Sequence, residues 1–302
     1  MRLANCTSNG ESFLGLVTDS GICNVGLAAE RMRIDGIPRT VEEAVMEMDE
    51  RIESLRNIQE SLRGSPRATE FLAEAEQVKF LPPVRNPSKI LCVFVNYHSH
   101  GKDLAAPSEP VFFFKHPNSL VGDGKDVLVP KFSTKPDHEV ELGVVIGKAG
   151  KDIPPASAYD HIAGYTVLND VSFRDGMSRG VEGTVLGRNL FRGKVADTAL
   201  PMGPFLVSRD EIPDPYPLRI SLKVNGETRQ EGTTDDMIFR IPELITSASE
   251  DNTLLPGDVI ATGTCSGVGL YTGKYLKDGD LMEAEVEKVG VLRNRVRTQS
   301  RA

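Results

Sequence analysis

The chain has 302 residues, of which 39% are hydrophobic, 26% are charged and 6% are aromatic, and its formal net charge is -8. This composition is that of an ordinary globular protein, and the length predicts one large or two unequal domains. The excess of negative charge disfavours non-specific binding to nucleic acid or to an anionic membrane. Any anionic substrate therefore needs a metal ion or local Lys and Arg side chains to hold it.

Cysteine spacing and apolar run length indicate the compartment. The four cysteines show no CxxC spacing, so the sequence predicts neither a zinc site nor a disulfide framework. The first residues lack the pattern of a signal peptide, and no apolar run approaches the roughly 18 residues of a membrane span. We therefore expect a cytoplasmic protein that does not enter membranes.

The N-terminal part of the sequence changes from strand-like to helical spacing. Residues 13–17 (FLGLV) and 22–28 (ICNVGLA) are short apolar runs, which predict a few small strands. From Thr40, a predicted N-cap with Glu43 in the capping-box position, apolar residues recur at helical spacing through Ile58.

A proline-rich run, LPPVRNP at residues 81–87, marks the predicted domain boundary, because proline disfavours both helix interiors and central strands. Residues 1–80 are then a small N-terminal α/β domain. Residues 85–300 form a larger, strand-rich domain.

The larger domain is predicted to contain many strands and few helices. Asn225-Gly226, which lies between LRISLKV and ETRQEG, is a strong signal for a two-residue hairpin, and residues 241–250 predict an amphipathic helix. The other segments that favour strands are KILCVFVNY, PVFFFK, DVLVP, HEVELGVVIG, HIAGYTVLND, GPFLVS, DVIATGT and LMEAEVEKVG.

The segment DHEVELGVVIG, residues 137–147, carries two acids into a buried strand. Side chains two apart share a face, so Glu139 and Glu141 point one way while Val140 and Leu142 point the other. Two buried carboxylates repel each other unless a proton or a cation compensates them. A divalent ion that prefers oxygen ligands, Mg²⁺, Mn²⁺ or Ca²⁺, is one solution, and a solvated edge strand is the equally good alternative.

A third acid favours the metal site. Asp170 ends AGYTVLND, which has the composition of a second buried strand. Two Glu on one strand and an Asp at the end of another could converge on one ion, which would leave coordination positions for water or substrate.

Several short motifs follow one another in a fixed order: NYHSH, PVFFFK, DHEVELGVVIG, GYTVLNDVSFRD, the Gly193-Lys194 pair, PMGP, VNG, DMIF, PGDVIATGT and GVG. This order resembles that of the fumarylacetoacetate hydrolase family over residues 85–297, and in particular its bacterial two-domain members of the fumarylpyruvate hydrolase and 2-hydroxyhepta-2,4-diene-1,7-dioate isomerase type. The resemblance implies an α+β fold, with a β-rich mixed sandwich or roll as the catalytic domain, and assembly as a homodimer. It also implies a small 2-oxo or dioxo acid as substrate and a role in the catabolism of aromatic compounds.

The resemblance also implies the site residues. Glu139, Glu141 and Asp170 are the expected metal ligands, normally for Mg²⁺ or Mn²⁺. The remaining residues, which fall on the family's catalytic and substrate-binding positions, are His100, Asp103 and Lys194 for catalysis and Arg174, Thr264 and Tyr97 for substrate binding. Asp103 stands where relatives usually have Glu, and Cys265 replaces a proline of the family motif TGTPxGVG.

Such a site predicts hydrolysis of a carbon-carbon bond in a 2,4-dioxo acid of the acylpyruvate or fumarylpyruvate type. His100, oriented by Asp103, would activate a water molecule, while Lys194 and a Lewis-acidic ion would stabilise the developing enolate. The same groups suit decarboxylation of an acid such as oxaloacetate, or isomerisation of a 2-oxo or 2-hydroxy-dienoic acid. A metal-binding regulatory protein without turnover is the alternative of another class.

Overall fold

The structure is a computed structural model that describes residues 1–46, 48–63, 70–73, 78–100, 106–178 and 189–299. In chain order, its strands are β1 Arg2–Ser8, β2 Glu11–Thr18, β3 Gly21–Asn24, β4 Lys79–Leu81, β5 Ile90–Phe94, β6 Val111–Lys115, β7 Leu120–Val121, β8 Asp126–Val129, β9 Pro136–Asp137, β10 Val140–Ile146, β11 Ile162–Asn169, β12 Ser172–Phe173, β13 Leu200–Ser208, β14 Arg219–Val224, β15 Glu227–Thr233, β16 Val259–Thr264, β17 Leu281–Val286 and β18 Gly290–Thr298. The α-helices are α1 Val25–Met32, α2 Val41–Met46, α3 Met48–Leu62, α4 Arg174–Met177, α5 Leu190–Lys194, α6 Ile241–Ser249 and α7 Gly269–Thr272. None of the helices in the described ranges is long and apolar enough to cross a bilayer.

One large sheet organises the fold. Eleven of the described strands belong to it, nine of them in the order β3-β2-β1-β13-β11-β10-β16-β5-β6, with β4 paired to β1 and β7 paired to β13. Every residue of β10, β11 and β16 is buried, which explains their nearly continuous apolar runs. This sheet-dominated α+β architecture confirms the predicted fold class.

The two faces of the large sheet pack against different layers. Val140 and Leu142 of β10 belong to the same core as Leu222 of β14, a strand of the five-stranded sheet β15-β14-β17-β18-β8. Val145 faces the opposite way and packs in the core that includes Leu55 of α3. The predicted alternation along β10 is therefore confirmed, and even-numbered residues of this strand do not share a face with Glu141.

Local signals in the sequence account for several elements. Asn225 and Gly226 both have positive φ, 52° and 80°, as the tight turn between β14 and β15 requires, so the predicted hairpin is confirmed. The predicted helix at residues 241–250 is α6. The prediction of a strand over residues 22–28 is wrong beyond Asn24, because the Asn24 side chain accepts a hydrogen bond from the Leu27 N–H and caps α1.

The N-terminal strands continue the large sheet. In the antiparallel pairing of β1 with β13, Leu3 lies opposite Leu206. Helices α2 and α3 cover this end of the sheet through Val45 and Leu55, both of which are fully buried. The domain boundary at residues 81–87 stays a prediction.

At Gly164, β11 packs so closely against the backbone of β13 that only glycine fits. A Cβ atom at Gly164 would lie 2.2 Å from the carbonyl oxygen of Val207, which is a backbone atom that cannot swing away. Gly164→Ala should therefore lower the free energy of unfolding by about 3 kcal/mol. In Gly26→Ala, the added methyl group on α1 would meet its nearest atom at 3.5 Å, so this control should gain up to about 1 kcal/mol. Urea titrations of both variants measure the difference, and equal midpoints would contradict the backbone clash.

Candidate metal centre and active site

Two neighbouring strands bring the three predicted acidic ligands together. Leu168 of β11 lies opposite Glu141 of β10, and beyond the last pair the Asp170 N–H donates a 2.8 Å hydrogen bond to the Glu139 carbonyl oxygen. As a result, one carboxylate oxygen from each of Glu139, Glu141 and Asp170 lies within 4.8 Å of the others, and all three residues are buried. The antiparallel register thus builds an acidic cluster of the size that one metal ion needs.

Two buried lysines compensate part of this negative charge. The Lys194 Nζ lies 2.8 Å from the Glu139 Oε2 and 2.5 Å from the Asp170 Oδ2. The Lys115 Nζ lies 2.7 Å from the other Asp170 oxygen, Oδ1, and donates to the carbonyls of Val171 and Ala199. Asp170 is therefore held between two ammonium groups.

Arg174 joins the acidic cluster to a second buried acid. Its Nε donates to the Asp137 Oδ2 at 2.8 Å, and its Nη2 forms a short ion pair with the Glu139 Oε1. Asp137 also accepts the N–H groups of Gly269 and Leu270, at 2.6 and 2.9 Å, at the start of α7. Arg174 lies near the predicted substrate position, but its guanidinium is committed to protein carboxylates.

Glu141 differs from the other two acids of the cluster. In the described part of the chain it has no cationic side chain within ion-pair distance, and its Oε2 accepts the Gly263 N–H at 2.7 Å. Burial, together with the charges of Asp170 and Glu139, raises the pKa of Glu141 well above its ordinary value. For Glu139, by contrast, the charges of Lys194 and Arg174 outweigh burial and hold the pKa well below its ordinary value.

The missing counter-ion of Glu141 indicates whether the three acids fit a metal ion. A carboxylate buried without a counter-ion is unfavourable, and a divalent cation between Glu141, Glu139 and Asp170 would supply the missing charge. All three donors are carboxylate oxygens, the ligands that Mg²⁺ and Mn²⁺ prefer. The residues therefore fit a hard divalent cation.

His100 lies on the wall of a small cavity that Glu139 and Glu141 also line. Its Nδ1 is 3.3 Å from the Cys265 carbonyl oxygen, and its ring makes an edge contact with Tyr271 at a centroid distance of 5.7 Å. Burial lowers the pKa of His100 below its ordinary value, so the ring is neutral at pH 7. Asp103, its predicted partner, lies outside the described residues.

The cavity brings most of the predicted residues together. Its polar lining contains His100, Glu139, Glu141, Arg174, Lys194 and Thr264. Its apolar lining includes Val93, Phe113 and Met177. The side chains from the separate motifs thus surround one small space beside the acidic cluster.

Two predicted substrate contacts are placed differently. The Thr264 hydroxyl donates to the Val140 carbonyl at 2.6 Å and accepts from Gln230 at 2.8 Å, so its proton is already used within the protein. Tyr97 is fully buried in the larger core, and it does not line the cavity. The geometry therefore does not support direct substrate contact by Tyr97, because no part of its side chain is accessible.

Comparison with known proteins gives the family. The family described as Fumarylacetoacetate (FAA) hydrolase C-terminal matches residues 89–297, more than half of the chain. The chain belongs to the fumarylacetoacetate hydrolase family. The family assignment from the motifs is thus confirmed, and the chain is a member of a family of enzymes.

Two relatives and one solved structure indicate which reactions occur among similar members of the family. Oxaloacetate tautomerase FAHD2A, mitochondrial, of Homo sapiens is 44% identical over 224 residues, which cover 73% of this chain and 70% of the relative. Oxaloacetate tautomerase YisK of Bacillus subtilis (strain 168) is 36% identical over 307 residues, which cover 98% of this chain and 100% of the relative. Maleylpyruvate hydrolase from Sphingobium sp. SYK-6, solved in complex with manganese (II) ion and pyruvate, matches with a TM-score of 0.75 and 30% identity over 99% of this chain and 100% of that chain. The sequence relatives agree with the isomerase alternative better than with carbon-carbon bond hydrolysis.

Sequence reasoning missed three buried residues of this fumarylacetoacetate hydrolase family site. Lys115 contacts Asp170, Asp137 contacts Arg174, and Gln230 contacts Thr264. Lys115 had a detectable signal, since a lysine that ends the apolar strand PVFFFK shares a face with Phe113 and needs a buried partner. Gln230 had none, because a polar residue after a hairpin turn is ordinary on a sheet surface.

The lack of a cationic partner for Glu141 among the described residues makes this side chain the sharpest test of the metal site. Glu141→Gln keeps the side-chain shape but removes the charge that has no cationic partner, so Mn²⁺ affinity should fall by at least about a hundredfold. Without metal the variant should be at least as stable as the wild type, because a buried unpaired acid is lost. Calorimetric titration with Mn²⁺ and thermal melts in EDTA measure the two effects. Glu60→Gln, an exposed change on α3, is the control, and wild-type affinity in Glu141→Gln would contradict the site.

Proposed function

We propose that this protein interconverts the enol and keto forms of oxaloacetate, a small dicarboxylic 2-oxo acid. The observation that carries the proposal is the 36% identity to oxaloacetate tautomerase YisK over 98% of this chain. The human relative of the same description is 44% identical over its aligned part. Isomerisation of a 2-oxo acid is therefore favoured over hydrolysis, the first prediction from the sequence.

The side chains around the cavity meet the needs of this reaction. Tautomerisation requires a base that moves a proton at C3 and a cation that offsets negative charge on the C2 oxygen. Neutral His100 would accept the proton from C3 of the keto form and return it in the reverse direction. Lys194 keeps its positive charge, because Asp170 and Glu139 raise its pKa although burial acts the other way. One proton leaves C3 and one arrives from water at the C2 oxygen, so the reaction balances.

Metal dependence belongs to the same proposal. Mg²⁺ or Mn²⁺ held by Glu139, Glu141 and Asp170 would act as a Lewis acid on the 2-oxo group. The all-oxygen donor set supports this choice. The manganese ion in the maleylpyruvate hydrolase structure, which is 30% identical to this chain, supports Mn²⁺ in particular.

Hydrolysis of a carbon-carbon bond is the second candidate, and the likeness to maleylpyruvate hydrolase favours it. It needs a water molecule positioned for attack in addition to the base and the cation. Decarboxylation of oxaloacetate uses the same stabilisation of negative charge. A regulatory protein without turnover is disfavoured, since a binding module has no need of His100 beside the acidic cluster.

Assembly and location complete the proposal. Strand β6 forms one edge of the large sheet and exposes Val111 and Phe114, with 46% and 61% of their surface accessible. Exposed apolar edge strands are unfavourable in a monomer, which supports a homodimer. Location in the cytoplasm and a role in aromatic catabolism stay predictions of the sequence.

Turnover of oxaloacetate should depend on both His100 and the metal. We expect the wild type with Mn²⁺ to accelerate ketonisation of enol-oxaloacetate, followed by its ultraviolet absorbance, and EDTA to abolish the acceleration. His100→Ala should reduce kcat by about a hundredfold to ten-thousandfold, because general base catalysis contributes about that much. Its Mn²⁺ affinity should stay within about threefold of wild type, because His100 is not one of the three acids.

Matched substrates and variants make this test decisive. Acetylpyruvate and fumarylpyruvate report hydrolysis, and pyruvate formation from oxaloacetate reports decarboxylation. His161→Ala removes a histidine whose ring contacts the Lys148 carbonyl outside the cavity, and this control should keep full activity. Faster hydrolysis of a dioxo acid than ketonisation of oxaloacetate would overturn the assignment in favour of the second candidate.

The acid side of the pH profile should report His100. Burial lowers the pKa of His100, so the neutral base persists at pH 7 and is lost only as the pH falls below the ordinary histidine value of about 6.5. The wild-type kcat for enolisation, the direction in which neutral His100 takes the proton from C3, should therefore be flat near neutrality and fall in the acid range, as exchange of the C3 hydrogen of oxaloacetate with deuterated water measures. The residual rate of His100→Ala should lack this limb. An identical limb in both proteins would show that another group titrates.

A further inference from the structure

Gln230 connects two parts of the site although it lies outside the cavity. It lies on β15 and is 1% exposed. Both the oxygen and the nitrogen of its carboxamide form hydrogen bonds. The Oε1 accepts from the Val140 N–H at 3.1 Å, at the start of the strand that carries Glu141. The Nε2 donates to the Cys265 carbonyl at 3.1 Å and to the Thr264 hydroxyl, in the loop after β16.

The partners fix which way this amide points. A backbone N–H only donates, so the atom facing Val140 must be oxygen, and a carbonyl only accepts, so the atom facing Cys265 must be nitrogen. Both conditions give the same orientation. The His138 Nδ1, 3.0 Å from the Oε1, must then carry a proton, which makes the buried His138 Nε2 the acceptor of that ring.

The Cys265 carbonyl oxygen that accepts from Gln230 also contacts His100. The Nδ1 of His100 is 3.3 Å from the same oxygen, which has lone pairs for two donors. Because a carbonyl cannot donate, this contact requires the proton on Nδ1 and leaves Nε2 as the basic nitrogen. The position of the Cys265 carbonyl therefore decides which nitrogen of His100 can accept a proton.

We propose that Gln230 is a positioning residue that fixes the Cys265 carbonyl and through it the tautomer and orientation of His100. The inference rests on the proposed function for its effect on turnover, but its effect on the imidazole is independent of any substrate. Gln230 is connected to no acid of the metal cluster directly. Its loss should therefore separate proton transfer from metal binding.

The variant Gln230→Met keeps the length of the side chain and removes its polar atoms. In ¹⁵N-labelled protein above the titration range, long-range imidazole spectra should show His100 protonated at Nδ1 in the wild type, with the signals assigned by their absence in His100→Ala. In Gln230→Met we expect the His100 population to move toward the Nε2-protonated form. The kcat for ketonisation should fall at least tenfold, while Mn²⁺ affinity stays within about threefold.

Asn5→Leu is the matched control for loss of a buried amide. Asn5 on β1 also forms hydrogen bonds through both ends of its amide, accepting from the Val41 N–H and donating to the carbonyls of Pro82 and Pro83 and to the Glu42 carboxylate. Three strands separate β1 from β16, the strand before Cys265. Asn5→Leu should lower the melting temperature and leave the His100 spectrum and kcat unchanged. Wild-type protein with His100 protonated at Nε2, an unchanged tautomer in Gln230→Met, or equal spectral changes in Asn5→Leu would overturn the proposal. Absence of oxaloacetate turnover in the wild type would count against the proposed function alone, since the spectra still test Gln230.

Discussion

Compensation of buried negative charge is the constraint on which the site depends. The pairing of β10 with β11 places Glu139, Glu141 and Asp170 within 4.8 Å of one another, where repulsion and lost hydration act together. Lys115 and Lys194 compensate part of this negative charge. Glu141 remains without a cationic partner among the described residues. Lys194 comes from α5 and Lys115 from β6 at the edge of the large sheet, so the charge balance connects both elements to the paired strands β10 and β11.

This electrostatic arrangement explains why one fold can serve related reactions. A site that accumulates positive charge beside a 2-oxo group favours any step that places negative charge on its oxygen. What separates proton transfer from hydrolysis is then the control of one base and of the water near it. In the reaction that we propose for this protein, that control would begin with the contact between His100 and the Cys265 carbonyl, which also accepts a hydrogen bond from Gln230.

Patterns within short segments were sufficient for much of the fold and part of the site. The Asn225-Gly226 turn, helix α6 and the alternation of β10 follow from local rules, and each is present in the structure. The strand prediction failed after Asn24, where one capping side chain changed the outcome. The motif order gave the family correctly, but the choice among its reactions lay beyond the motifs, because the same ligands and base occur with several of them.

The sequence by itself determined which residues could carry the chemistry: two acids on one face of a strand, a third at the end of another, and a histidine, lysine and arginine in ordered motifs. Only the tertiary structure decided how these groups are engaged. It showed that Tyr97 lies in the core, that the Thr264 proton is already used, and that Lys115 belongs to the cluster. The physical reason is that spacing along a strand fixes the face of a side chain, whereas its partners come from segments far away in the chain.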